Sequence, residues 1–238
     1  MPDRTDLPWV LLPGLLCDGA AWGSILLSRP KTPAFTPTYR ASRTLGEIAS
    51  AVLREAPETF LLVGHSMGGY VAFEMLRQAP KRCVGLLLIS TQADADTPEQ
   101  SAARRDLAGR ARDEGLDDIA KFMAKLCIPK TADNAAALRQ QFAAMAHRYG
   151  VDAFAAHQDA IAGRPSSLPD LPDISVPTLV VGTVDDKIVP SQRTFAMTDA
   201  LPDAQDLRLD TGGHLPMWTR QQDCIKAVRL LSENLSSS

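Results

Sequence analysis

Short, almost wholly apolar runs alternate along this chain with longer stretches in which apolar residues recur every three or four positions. Phe60-Leu61-Leu62-Val63 and Cys83-Val84-Gly85-Leu86-Leu87-Leu88-Ile89 have the length of β-strands. The second is nearly continuous in apolar character, which fits a strand covered by helices on both faces of a sheet. Trp9 to Pro13 and Val176 to Gly182 read as further strands, Ala34 to Thr38 as a short one, and the alternating Asp206-Leu207-Arg208-Leu209-Asp210 as a late one. Between them Ala21 to Leu27 and Thr44 to Ala56 suit helices, as does the stretch after Gly68, where Val71, Met75 and Leu76 share one side. Strands that alternate with helices are joined by crossovers, and crossovers lead to parallel pairing. The pattern predicts an α/β fold: a mostly parallel sheet of about six strands with helices on both faces.

Between Thr91 and Asp173 the rhythm changes. Ala102 to Glu114, Leu116 to Leu126, Asn134 to Tyr149 and Val151 to Ala162 each predict a helix. Gly163-Arg164-Pro165-Ser166-Ser167-Leu168-Pro169-Asp170-Leu171-Pro172 closes the stretch, its prolines lacking the N–H that regular structure needs. Phe122, Met123, Leu126, Phe142, Met145 and Phe154 are expected chiefly to join these helices to one another. Arg104, Arg105, Arg110 and Arg112 are interleaved with Asp106, Asp113 and Glu114, the pattern of a solvated, mixed-charge helix face. The tail Leu235-Ser236-Ser237-Ser238 is expected to fray.

The 238 residues are 45% hydrophobic and carry a formal net charge of −3. A chain of that size can bury a substantial core, and its mild acidity gives it no general attraction to nucleic acid or to a membrane surface. No apolar run approaches the roughly 18 residues of a membrane span, and Met1-Pro2-Asp3-Arg4-Thr5-Asp6-Leu7 lacks the basic start and apolar stretch of a secretion signal. A cytoplasmic protein, monomeric or homodimeric, is the expectation. Cys17, Cys83, Cys127 and Cys224 lack the close spacing of a zinc or redox motif and read as reduced thiols. No metal and no cofactor is expected.

Directly after Phe60 to Val63 stands Gly64-His65-Ser66-Met67-Gly68, and a helical pattern follows it. This is a G-x-S-x-G elbow in a strand–turn–helix setting. The chain turns there so sharply that the positions two before and two after the serine have no room for a side chain, a need that Gly64 and Gly68 meet. Ser66 is thereby held in a strained conformation at the apex, and the N–H of Met67, the first of the helix, can stabilise an oxyanion. Such a serine is a good nucleophile only if a histidine takes its proton and a carboxylate orients that histidine. Of the four histidines, His65 is turned away by the elbow and is expected near the oxyanion region, while His147 and His157 lie in an alanine-rich helical stretch. His214, in Thr211-Gly212-Gly213-His214-Leu215, follows a late strand on a loop, where such a base is placed. The carboxylate should fall between serine and histidine in the chain. Thr183-Val184-Asp185-Asp186-Lys187-Ile188-Val189-Pro190 offers both Asp185 and Asp186.

With these motifs in this order the chain resembles the α/β-hydrolase superfamily over nearly its whole length. The resemblance implies a small capped serine hydrolase of carboxylesterase type, with residues 1–92 and 172–238 as the core domain and 93–171 as a helical cap. In such proteins the acid commonly stands four residues before a proline that opens the next helix, which selects Asp186. Counting three residues from the glycine that ends the strand selects Asp185 instead, because this loop is one residue longer than the usual pattern; Asp186 is preferred. The family's second oxyanion donor lies after the first core strand, where many members carry His-Gly. Here the segment is Pro13-Gly14-Leu15-Leu16, and by position the N–H of Leu15 joins that of Met67. Cys17 lies near this loop and is a candidate for the pocket lining.

The implied catalytic set is Ser66, Asp186 and His214, with Leu15 and Met67 as the oxyanion hole, acting on a small-molecule ester or acyl substrate through an acyl-enzyme. The same three residues serve carbon–carbon bond hydrolases, lactonases, perhydrolases and acyltransferases on this scaffold, so they do not separate the substrates. A non-catalytic ligand-binding member is disfavoured, since binding alone has no need of all three groups. Epoxide and haloalkane chemistry is disfavoured too, because those relatives carry a carboxylate where this chain has Ser66.

Overall fold

The computed structural model describes residues 7–28, 32–39, 42 and 44–236. Six strands, β1 (Trp9–Leu12), β2 (Ala34–Phe35), β3 (Phe60–His65), β4 (Cys83–Ile89), β5 (Thr178–Thr183) and β6 (Ala204–Leu209), form one sheet in the order β2-β1-β3-β4-β5-β6. Every neighbouring pair is parallel. This is the α/β architecture that the alternation of strands and helices predicts. β2 is shorter than the expected Ala34 to Thr38; Pro37 has no N–H to give to a ladder.

The helices are α1 (Gly23–Ser28), α2 (Leu45–Glu55), α3 (Met67–Gln78), α4 (Pro98–Glu114), α5 (Asp117–Cys127), α6 (Ala135–Tyr149), α7 (Val151–Ala162), α8 (Ser191–Ala200), α9 (Pro216–Thr219) and α10 (Gln221–Ser236). Successive residues of a strand point to opposite faces, and this divides the core in two. Trp9, Leu11, Leu61, Val63, Leu87, Ile89, Leu179 and Val181 pack with Ile25 of α1 and with Ala227, Val228 and Leu231 of α10. Val10, Leu12, Phe60, Leu62, Leu86, Leu88 and Val180 pack with Ile48 and Val52 of α2, Val71 and Met75 of α3, and Phe195 of α8. Truncating any of the buried leucines to alanine costs about 2–5 kcal/mol. The near-continuous apolar runs thus reflect two covered faces.

Local signals set several boundaries. The Thr44 hydroxyl accepts the N–H of Glu47 at 3.1 Å and starts α2. α4 begins at Pro98, ahead of the expected Ala102, because Thr97 and Gln100 form a reciprocal capping box and Pro98 fills a first-turn position that needs no donor. The expected fraying at Leu235 does not occur. That residue is 1% exposed and lies over Gly85 of β4, where an added Cβ would come within 3.2 Å of both its methyl groups. Met1 to Asp6 and the last two serines, Ser237 and Ser238, lie outside the described residues.

Between β4 and β5 the chain inserts α4 to α7, with α4 packed on α7 and α5 on α6. The sheet order reverses between β1 and β3: one connection leads outward to β2, and the rest of the sheet grows the other way from β3. A crevice opens beyond the carboxyl ends of strands at such a switch point. The Pro13–Leu16 loop and the elbow both end there. Among the described residues no helix is long and apolar enough to cross a membrane.

Candidate active site

Ser66 has φ 52° and ψ −119°, a region that costs a non-glycine residue of order 1–3 kcal/mol. Three hydrogen bonds hold it there. Its N–H donates to Ile89 O at 3.0 Å, and its carbonyl accepts from Gly69 N at 2.9 Å and from the Thr91 hydroxyl at 2.8 Å. The flanking glycines have no alternative. A Cβ on Gly64 would stand 2.8 Å from Gly68 O, and one on Gly68 would stand 2.0 Å from Leu12 O.

The structure brings Ser66, His214 and Asp186 together from the ends of three elements. His214 Nε2 lies 2.8 Å from Ser66 Oγ, and His214 Nδ1 lies 2.8 Å from Asp186 Oδ2. A carboxylate only accepts, so Nδ1 carries the proton and donates it, leaving Nε2 as the acceptor for the serine hydroxyl. The other oxygen of Asp186 accepts the N–H groups of Ile188 at 2.8 Å and Val189 at 3.0 Å. Burial alone pushes the Asp186 carboxyl upward, but the charge and hydrogen bond of His214, helped by those two N–H groups, outweigh it and hold the group below its usual value. Asp186 is therefore ionised at neutral pH and able to stabilise an imidazolium.

Asp185, the other aspartate of the loop, has its own contact: its Oδ1 accepts the N–H of Gly213 at 2.8 Å. Thr183 Oγ1 donates to the carbonyl of the same glycine at 2.7 Å. His214 N donates to Cys127 O at 2.9 Å, and His214 O accepts from His65 Nε2 at 2.8 Å. The histidine loop is thus fixed at four successive backbone groups. Sequence reasoning missed this clamp, apart from the general position of His65. The position demands a glycine, since φ +66° disfavours a side chain and a Cβ there would lie 2.5 Å from Cys127 O. His147 is on the surface, 3.6 Å from Asp117, and His157 is buried against the Tyr149 hydroxyl.

On the other side of Ser66, Met67 opens α3, and the first N–H groups of a helix have no partner within it. The loop after β1 presses on the elbow: a Cβ on Gly14 would meet His65 Nδ1 at 2.7 Å and Ser66 Cβ at 3.1 Å. Cys17 N donates to Gly14 O at 3.1 Å, closing a turn in which Leu16 takes φ 62°. Leu15 and Met67 line the same cavity as Ser66.

That cavity, of about 310 Å³, lies between the sheet and the inserted helices. Leu15, Leu107, Met123, Phe142 and Ile161 make its wall apolar, whereas Gln92, Asp96, Gln100, Arg104 and Gln158 make another part polar. Met123 and Phe142, expected chiefly to join helices, face this space, while Phe122 is 57% exposed. Cys17 and Cys127 also line it. Burial pushes the Cys17 thiol up to about 12 and the Cys127 thiol well above its usual value, so neither competes as a thiolate. Arg104 departs from the expected solvated face, its guanidinium being turned to Asp96. Among the described residues no group of three or more His, Cys, Asp or Glu side chains is placed to hold a metal ion.

A parallel sheet with a serine elbow, a histidine after the last strand and an aspartate after the one before it defines an α/β hydrolase. Residues 6–227 match the alpha/beta hydrolase family, and the chain belongs to it. Among curated relatives it is 28% identical to a pimeloyl-[acyl-carrier protein] methyl ester esterase of Aromatoleum aromaticum, over 93% of this chain and 96% of the relative. It is 30% identical to a putative carbamate hydrolase of Azorhizobium caulinodans over 64% of this chain and 58% of that one. Among solved structures, a thermophilic esterase from Thermogutta terrifontis superposes with a TM-score of 0.87 at 27% identity, covering 97% of this chain and 90% of the other. The enol-lactonase of Burkholderia xenovorans, at 21% identity and a TM-score of 0.82 over 94% and 91% of the two chains, shares the fold.

Proposed function

We propose that the protein hydrolyses carboxylic esters through an acyl-enzyme formed on Ser66. The observation that carries this reading is the unbroken hydrogen-bond chain from Ser66 Oγ through His214 to Asp186, with 2.8 Å at each step. Ser66 Oγ attacks the ester carbonyl as its proton passes to His214 Nε2, and Asp186 stabilises the imidazolium. The carbonyl oxygen becomes an oxyanion held by the N–H groups of Met67 and Leu15. As the tetrahedral intermediate collapses, the bond to the leaving oxygen breaks, and His214 hands its proton to that oxygen, releasing the alcohol. Water then gives a proton to His214 and attacks the acyl-enzyme. A second collapse returns the proton to Ser66 Oγ and frees the acid.

The likeness to proteins named as esterases supports the bond type. Residues 93–171 act as the cap in this reading, placing Met123 and Phe142 over the serine and excluding water from the acyl group. The four free, buried cysteines suit a cytoplasmic enzyme. Turnover of a short-chain p-nitrophenyl ester tests the proposal: Ser66→Ala is expected to lower kcat by at least about a thousand-fold. Retained activity in that variant would contradict it.

A further inference from the structure

The charges around the cavity do not balance. Asp96, 1% exposed at its side chain, accepts hydrogen bonds from two guanidinium groups, Arg104 Nε at one oxygen and Arg164 Nη1 at the other, the latter at 2.8 Å. Arg164 has a structural post. It is 3% exposed, donates to Ile161 O at 3.0 Å and Asp94 O at 2.9 Å, and lies 4.1 Å over the Tyr70 ring. With that pair neutral, the charge of Arg104 is surplus.

Arg104 Nη1 donates to the neutral amide of Gln158 at 3.1 Å, and its Nη2 donors have no partner among the described residues. Its side chain keeps 28% exposure while lining the cavity that holds Ser66. Among the residues lining this space Asp96 is the acidic one, and Asp186, outside the lining, is engaged by His214. Lys187 adds a further cation to the lining. The lining thus holds two cations, Arg104 and Lys187, against one carboxylate, and that carboxylate is shared with Arg164. A guanidinium that shares its one carboxylate with a second guanidinium keeps uncompensated charge in a partly dry site, and a carboxylate is the planar anion that its free donors fit.

We infer that the cavity selects esters bearing a separate carboxylate, which pairs with Arg104 while the ester carbonyl lies against Ser66. The inference rests on the ester-hydrolase reading above and narrows its substrate class. A cavity of about 310 Å³ restricts the spacer between the two groups to a short one. The same pairing can serve a carboxylate on the acyl or on the alcohol side of the ester, and the substrates of the test separate them.

The test compares kcat/KM for monomethyl glutarate and monomethyl adipate with that for methyl butyrate, and for butyryloxyacetate with ethyl butyrate, in wild type, Arg104→Gln and Arg104→Lys. In at least one series the wild type should favour the anionic ester by about tenfold or more, the effect of one charge-assisted hydrogen bond. Arg104→Gln should reduce that ratio at least about tenfold through KM, and Arg104→Lys should restore part of it. A ratio discounts any loss of folded protein. No preference in the wild type, or one that survives in Arg104→Gln, overturns the inference and leaves the hydrolase reading intact. If no ester is turned over, the hydrolase reading is what fails. Calorimetry of glutarate binding to Ser66→Ala then decides the anion site: binding abolished by adding Arg104→Gln supports it, and no binding overturns it.

Discussion

Asp185 Oδ1 accepts the N–H of Gly213 at 2.8 Å, one residue before the histidine whose Nδ1 faces Asp186 at 2.8 Å. Two adjacent carboxylates of one loop thus hold one histidine loop, the first by its backbone and the second by its ring. Under the proposed mechanism their losses differ in kind. Asp186→Asn should lower kcat about ten-thousand-fold, because an amide no longer fixes the tautomer or stabilises the imidazolium. Asp185→Asn keeps an oxygen acceptor and should cost less than about tenfold. Asp185→Ala leaves the Gly213 N–H without its partner, for about 1–3 kcal/mol of stability. Steady-state kinetics and urea unfolding on the three variants check this.

The elbow predicts a contrast between two glycines. A Cβ on Gly68 would stand 2.0 Å from Leu12 O, a backbone atom that cannot step aside, whereas one on Gly109 of α4 meets nothing within 4 Å. Gly68→Ala should destabilise by more than about 3 kcal/mol or prevent folding. Gly109→Ala should stabilise by about 0.5–1 kcal/mol through helix propensity. Denaturant midpoints measured side by side give both values.

Gly14 tests the loop that supplies Leu15. An alanine there would push against His65 Nδ1 at 2.7 Å and Ser66 Cβ at 3.1 Å. Under the proposed mechanism Leu15 and Met67 are the oxyanion donors, and a displacement of such donors by even about 1 Å can cost a hundred-fold in rate. The expected result for Gly14→Ala is a fall in kcat of that order, with circular dichroism unchanged.

His65 predicts how stability varies with pH. His214 O is an acceptor, so His65 Nε2 carries the proton, and Nδ1 is buried with no partner among the described residues. Burial, with a smaller contribution from nearby His214, lowers its pKa from 6.5 to about 3. As pH falls through 6.5 the unfolded chain takes up this proton, while the folded one does so only near pH 3. The unfolded state binds more protons across that interval, so acid removes stability by up to about 1.4 kcal/mol per pH unit from this group. Asp186, held below the usual 3.8, adds its own loss from about one pH unit above that value downward. Urea unfolding between pH 6.5 and 4 should therefore show a steeper acid slope for wild type than for His65→Gln. Parallel slopes would contradict the assignment.

Much of this architecture is legible in the sequence because it follows from residue type and spacing. Continuous apolar runs mean strands covered on both faces, and Gly64 and Gly68 around Ser66 mean a turn with no room. The start of α4 was also there to be read, in Thr97-Pro98-Glu99-Gln100. What escaped depends on contacts that backbone atoms make with groups distant in the chain. The carbonyl of Cys127 meeting His214 N, or the N–H of Gly213 meeting Asp185, follows from where two loops end up. Arg104 escaped for a related reason: its helix carries alternating charges and reads as solvated, and its partners, Asp96 before the helix and Gln158 on α7, lie at no helical i+4 position that the sequence could flag.

The claim that Ser66 is a nucleophile driven by His214 is tested most directly by a fluorophosphonate probe, with the adduct mapped by peptide mass spectrometry. One adduct is expected, on Ser66, formed at least about a thousand-fold more slowly in His214→Gln. Labelling at another residue, or a rate indifferent to the loss of His214, would contradict it.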